Sequence, residues 1–179
     1  LNLRTTKFCT GDVVPQVVED EQWEKLKTAA WCIQGNDKDL GVEYGNLYNW
    51  YTVSDERNVC PCGWRVPEDA DWEILAETLG GASIAGGKMK VTGSIEKGDG
   101  PWNDLNASGT NESGFSGVPG GGRDAVGKWL KPGFAGGWWS STPTSEGTAY
   151  GRGLMGGSES LVRDHENVNN GFYIRCIKN

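Results

Sequence analysis

A chain of 179 residues fits one domain. Its net charge of −7 and a pI near 4.8 argue against a nucleic-acid partner, whose phosphates want a basic face, and against anionic membrane surfaces. Only 36% of it is hydrophobic, but nine Trp, five Tyr and four Phe can close a core that aliphatic residues leave thin, since each buries roughly 150–250 Å².

Residues 1–18 read as an extended arm that turns at Thr10-Gly11-Asp12. Asp20 can cap a short helix in which Trp23, Leu26 and Lys27 share a face, ending near Ala30. Gln34 to Gly41 is polar and turn-like. Tyr44 to Val53 is rich in aromatics, and periodicity leaves open a strand or a buried helix turn. Core packing is the preferred reading there over an exposed aromatic strip. Trp64-Arg65-Val66-Pro67 is an extended entry, because the residue before proline avoids the helical region. Glu68, Asp69, Asp71 and Glu73 then load acid onto a helix start, where the dipole favours it. That explains the cluster without a cation. Trp72, Leu75, Ala76 and Leu79 recur at helical spacing, and Gly80-Gly81 stops the helix.

Ala82 to Gly136 carries loop chemistry almost throughout. At about 50 residues it is too long for a structureless connection, so ordered loops are expected. Gly120-Gly121-Gly122-Arg123 lacks the Lys-Ser/Thr ending and the preceding strand of a phosphate loop. Gly136-Gly137-Trp138-Trp139 opens the central strand. Neighbouring side chains on a strand point to opposite faces, so the two indoles should plug both sides of one sheet, or one should face a surface. In Ala149 to Leu154, Tyr150, Arg152 and Leu154 share one face. The glycine face opposite invites close approach by something flat. Leu161-Val162-Arg163 is a further strand, followed by a polar turn at Asp164-His165-Glu166-Asn167. The last strand, Gly171 to Ile177, puts Phe172, Ile174 and Cys176 on one face and Tyr173 and Arg175 on the other. The set reads as an antiparallel meander.

The cysteines are Cys9, Cys32, Cys60, Cys62 and Cys176. Cys60-Pro61-Cys62 is tighter than a zinc knuckle and His165 is the single histidine, which disfavours a metal–thiolate site. Disulfides in an oxidising compartment are expected instead. Five cysteines with one left over allow fifteen arrangements. Of these, Cys9–Cys32 and Cys60–Cys176 are the expected pairs, with Cys62 free.

Several of these segments, in order, resemble the Fibrobacter succinogenes major paralogous domain. They are Tyr44-Gly-Asn-Leu-Tyr-Asn-Trp-Tyr51, Cys60-Pro-Cys-Gly-Trp-Arg-Val-Pro67, Asp71-Trp-Glu-Ile-Leu75, Leu79-Gly-Gly81, Thr110-Asn-Glu-Ser-Gly-Phe115, Pro119-Gly-Gly121, Trp138-Trp-Ser-Ser-Thr142 and Gly171-Phe-Tyr-Ile-Arg-Cys176. That family is found on exported and surface proteins of Bacteroidetes and Fibrobacteres. The resemblance implies an α+β, C-type-lectin-like fold over residues 1–179, with small twisted antiparallel sheets, two helices and long ordered glycine-rich loops. Asn2 to Thr6 looks like the segment after the family's first strand, which is then missing here or trimmed. Cys9 and Cys62 depart from the family pattern. The fold also resembles formylglycine-generating enzymes, but their late pair of active cysteines is not matched, since Cys176 stands alone in the C-terminal half. Two-thiolate copper chemistry is therefore not expected.

A lectin-like fold implies a ligand face built from the loops between late strands. The ligand candidates there are Trp102, Asn103, Ser141, Tyr150, Arg152, Arg163, His165 and Asn169. Exposed aromatics stack on sugars or proteins, and polar groups hydrogen-bond to them. Asp164, Glu166 and Asn167 offer oxygens to calcium; no other cofactor is expected. No residue is assigned a catalytic role. No acidic pair sits where a glycosidase needs one, and a serine triad would rest on His165 without a nucleophile elbow. The expectation is a non-catalytic, extracellular or cell-surface recognition module for glycan or protein. No apolar run approaches the ~20 residues of a membrane span, so direct insertion is not expected. The alternative is a structural subunit of a filament, fibre tip or phage-like receptor assembly. The odd cysteine and the missing strand would fit such self-assembly.

Overall fold

The computed structural model describes residues 1–103 and 108–179. After an extended arm come α1 (Asp20–Glu24), β1 (Trp31–Ile33), a 3-10 turn (Gln34–Asn36), α2 (Lys38–Tyr44), β2 (Asn46–Tyr48) and α3 (Trp50–Val53). Then follow β3 (Trp64–Arg65), α4 (Asp69–Thr78), α5 (Ala82–Met89), β4 (Gly122–Arg123) and β5 (Trp129–Leu130). The chain ends with β6 (Ala135–Ser145), β7 (Thr148–Met155), β8 (Val162–Asn167) and β9 (Ile177–Lys178). The fold is mixed α+β with small antiparallel sheets. Five α-helices stand among the described residues where two were expected. Of the three extra ones, α2 and α3 start on local polar caps, while α5 follows Gly81 without a side-chain cap. The Asp37 carboxylate accepts from the Asp39 N–H, and the Asn49 side chain accepts from the Thr52 N–H. The aromatic stretch is both things its periodicity allowed, a strand (β2) and then a helix turn (α3). The helix expected from Asp20 to Ala30 stops at Glu24, with Trp23 buried.

The sheet β6–β7–β8 is antiparallel and organises the core. Its register sets Trp138 opposite Arg152 and Arg152 opposite Arg163. One residue along, Trp139 faces Gly151 and Gly151 faces Asp164. Alternation sends the two indoles to opposite faces, and both are fully buried. Trp138 packs with Tyr173, Leu154 and Trp72; Trp139 packs with Tyr48, Phe172 and Ile174. Each indole N–H is satisfied: Trp138 donates to Asn2 Oδ1 at 2.9 Å and Trp139 to the Tyr48 carbonyl at 2.7 Å. The C-terminal strand keeps its expected faces, but only Ile177–Lys178 forms a regular strand, paired with β3. Residues 171–173 leave the antiparallel meander and run parallel beside β6, bridged at Trp138 and Tyr173.

The stretch from 82 to 136, read as loop, holds α5, β4 and β5; residues 104–107 lie outside the described residues. Gly86 and Gly87 look like helix breakers, yet they sit inside α5. A Cβ on Gly86 would come within 2.2 Å of the Ser160 carbonyl oxygen, and one on Gly87 within 2.9 Å of the Ser108 oxygen. They are glycines because other chain segments lie against them. Two buried cations hold the loops around α5 and β4. Lys90 Nζ donates to the carbonyls of Met155, Gly156 and Ser158 at 3.1, 3.1 and 2.8 Å. Arg123 lies over Trp23 and Trp129 and donates to the carbonyls of Val17, Val18 and Gly127 and to Asp20.

The disulfides are Cys9–Cys62 and Cys60–Cys176. The second was expected. The first replaces Cys9–Cys32, and Cys62 is bonded, not free. The Cys9 N–H donates to the Asn58 carbonyl at 2.7 Å, which sets the arm beside the Cys60-Pro61-Cys62 loop. Cys32 sits mid-strand in β1 with its thiol turned into the core. Burial pushes that thiol up to about 12.

Candidate functional site

The outer part of the sheet, β7 and β8, presents two different faces. One carries Tyr150, Arg152, Arg163 and His165, four of the eight ligand candidates. Strand alternation and the β7–β8 register put them there together. The Arg163 guanidinium lies 3.8 Å above the Tyr150 ring, and the Tyr150 and His165 rings meet edge to face at 5.0 Å. Asp69, the first residue of α4, fixes this group from below. It takes Arg163 Nε at 3.0 Å and Nη2 at 2.8 Å on Oδ2, and Arg152 Nη2 at 2.5 Å on Oδ1. These bonds raise the Arg163 guanidinium above its ordinary value, while burial lowers Arg152. Arg152 is itself buried and so props the platform without reaching a ligand. Ser141 lies close by, half-buried against the Pro67 carbonyl, and Thr142 Oγ1 accepts from the Asp69 N–H at 2.9 Å. Asp69 read in the sequence as a helix-dipole acid. Its arginine partners were invisible because the sheet delivers them.

The other candidates lie elsewhere. Trp102, a ligand candidate expected to be exposed, does not reach the surface. It is fully buried, its indole N–H donating to the Gly117 carbonyl and Lys90 Nζ 5.4 Å from its ring. The preceding glycines turn the chain inward, because Trp102 bridges Ser94 and its carbonyl takes the Ile95 N–H. The Asn103 N–H is tied to Gly133. Asn169 caps the turn beside α1, where its amide donates to Glu24 and its carbonyl takes the Trp23 indole. The calcium candidates do not form a turn. Asp164, Glu166 and Asn167 belong to β8, so Asn167 points away from the other two. Among the described residues no group of three or more His, Cys, Asp or Glu side chains comes together as a metal site.

The opposite face of β7 and β8 is a groove of about 300 Å³. Gly137, Gly151 and Gly153 floor it, with the Phe172 ring against Gly137. Val162, Asp164 and Glu166 form one wall, and Leu130 and Met155 the lip. This is the flat glycine face legible in the sequence; the wall and lip were not. Burial, and then the charge of Asp164, raise the Glu166 carboxyl, against a hydrogen bond from the Asn170 amide. A second cleft, about 480 Å³ and apolar, lies between α4 and the end of the chain, lined by Trp72, Leu75, Phe115 and Ile177. None of the expected ligand residues reaches it.

Small antiparallel sheets, short helices and two disulfides thus define a mixed α+β domain of the kind stabilised in oxidising surroundings. The chain belongs to the Fibrobacter succinogenes major domain family, whose model matches residues 1–178. No curated protein and no solved structure matches it. No helix among the described residues is long and apolar enough to cross a membrane.

Proposed function

We propose that this protein is a non-catalytic recognition module of C-type-lectin-like fold, acting outside the cell or on its surface, that binds glycan or protein through the Tyr150–Arg163–His165 platform. The observation that carries the reading is the fixing of Arg163 by Asp69 beneath an exposed stack. Such a guanidinium is already oriented, so little side-chain freedom is lost when a carboxylate or hydroxyl docks on it. The two disulfides fit an exported protein.

A glycan array and a panel of surface-protein ectodomains, probed with the native chain and with Tyr150→Ala and Arg163→Ala, test this. Both variants should stay folded and lose the ligands the native chain retains. Retention of every ligand by both variants, or of none by the native chain, would sink the reading.

A further inference from the structure

The groove on the opposite face points to a second ligand, independent of the platform. Its wall carries two carboxylates two residues apart on one strand, Asp164 and Glu166. Neither forms an ion pair among the described residues. Asp164 Oδ1 accepts from the His165 N–H at 2.7 Å, and Glu166 Oε2 accepts from Asn170. Two like charges on a half-buried wall repel, and that repulsion contributes to the raised Glu166 carboxyl. The two cations on the lining are engaged elsewhere. Arg152 is held by Asp69 on the far face, and Lys131 Nζ lies 5.6 Å from the Phe134 ring. The rim is apolar and open, with Leu130 and Met155 each about half exposed. Gly153 is bare floor, since a Cβ there would meet only Val162, at 3.7 Å.

We infer that this groove takes a lysine side chain of an extended peptide segment from a partner protein. The peptide's apolar neighbours rest on Leu130 and Met155. The lysine stem crosses Gly153 and Val162, and its ammonium sits against Asp164 and Glu166. From Gly153 to Gly151 is two strand residues, roughly 6–7 Å, which a four-carbon stem spans. Glycine at 153 leaves the floor low enough for that stem to lie flat, and the Glu166 side chain, its Cγ 2.7 Å from where a Gly151 Cβ would stand, lies over Gly151 to meet the ammonium. The groove's charge and apolar rim together select this occupant: a neutral sugar would leave the carboxylates without a counter-charge, and a bare amine would leave the rim uncovered. The free edge of β8 is a poorer site for strand addition, because the His165 N–H and the Asn167 carbonyl are already satisfied.

The test is an NMR titration of the 15N-labelled full chain with acetyl-Leu-Lys-Leu-amide. The controls are the norleucine analogue of that peptide, butylamine and methyl glucoside. Saturable shifts should gather at Gly151, Gly153, Val162 and Glu166, with affinity falling roughly tenfold for the norleucine peptide and for Glu166→Gln. Gly153→Leu, whose Cβ would meet only Val162 at 3.7 Å, should plug the floor and abolish them while leaving the spectrum folded. Equal binding of the norleucine peptide, butylamine or methyl glucoside overturns the inference. So do shifts elsewhere, or no saturation at millimolar peptide. The platform reading stands or falls separately, on Tyr150→Ala and Arg163→Ala.

Discussion

In the β6–β7–β8 sheet, two indoles and a ladder of backbone hydrogen bonds carry the packing. The described part of the stretch from 82 to 136 has little ladder, and it is pinned by Lys90 and Arg123 instead. In the first region burial of apolar area does the stabilising. In the second, irregular loops bring carbonyls inside that no strand partner satisfies, and a long cationic side chain supplies the donors. A chain with many glycines and little aliphatic core can still order long loops this way.

The sharpest way to break that contrast is at the indoles. Trp138→Ala and Trp139→Ala should each cost about 3–5 kcal/mol in urea unfolding, since both lose a fully buried ring. A cost below about 1 kcal/mol in either would refute the two-sided plug. Arg123→Met should cost about 3 kcal/mol, because it takes the charged donor from three carbonyls, although Asp20 keeps Lys128. Native-like stability in that variant would show the pin to be dispensable.

Lys90→Met should cost less, about 1–3 kcal/mol, and it carries a pH signature. Burial lowers the Lys90 ammonium below its ordinary value. Between the folded and the unfolded value, the unfolded chain therefore binds more protons, and this group's contribution to stability rises with pH. Unfolding midpoints of native chain and variant, compared through the alkaline window just below the ordinary lysine value, should therefore shift in favour of the native chain as pH rises, and convergence there would contradict a lysine lowered by burial.

Thiol titration sharpens the disulfide assignment at little cost in stability. One thiol, Cys32, should react only after unfolding, and peptide mapping should recover Cys9–Cys62 and Cys60–Cys176. A fast-reacting thiol in the folded chain would contradict both. The smallest effect should come from Arg163→Ala. Its guanidinium is well exposed, so the ion pair with Asp69 should stabilise by less than about 1 kcal/mol. The consequence should appear in ligand binding and hardly at all in thermal unfolding.

Helix α4 was legible because Trp72, Leu75, Ala76 and Leu79 repeat at its own period and two glycines end it. Helix α5 was not, because Gly86-Gly87 reads as a breaker until Ser160 and Ser108 are seen against it. Half of the platform was legible too: Tyr150 and Arg152 on one face follow from alternation, and Arg163 and His165 join them through register. Asp69 was legible only as an acid at a helix start, and Trp102 only as an aromatic after glycines. Its burial depends on Gly117 and Lys90, which the fold brings to it.

What the amino-acid order determined by itself was everything set by the backbone's own period. That covers the opposite faces of Trp138 and Trp139, the split of Phe172, Ile174 and Cys176 from Tyr173 and Arg175, and the glycine face of β7. Tertiary structure alone decided which cysteine meets Cys9, which glycines serve contacts and not turns, and which carboxylate anchors the arginines. Alternation is a property of neighbouring residues on a pleated strand. A disulfide or an ion pair between distant residues exists only once packing has closed the chain around them.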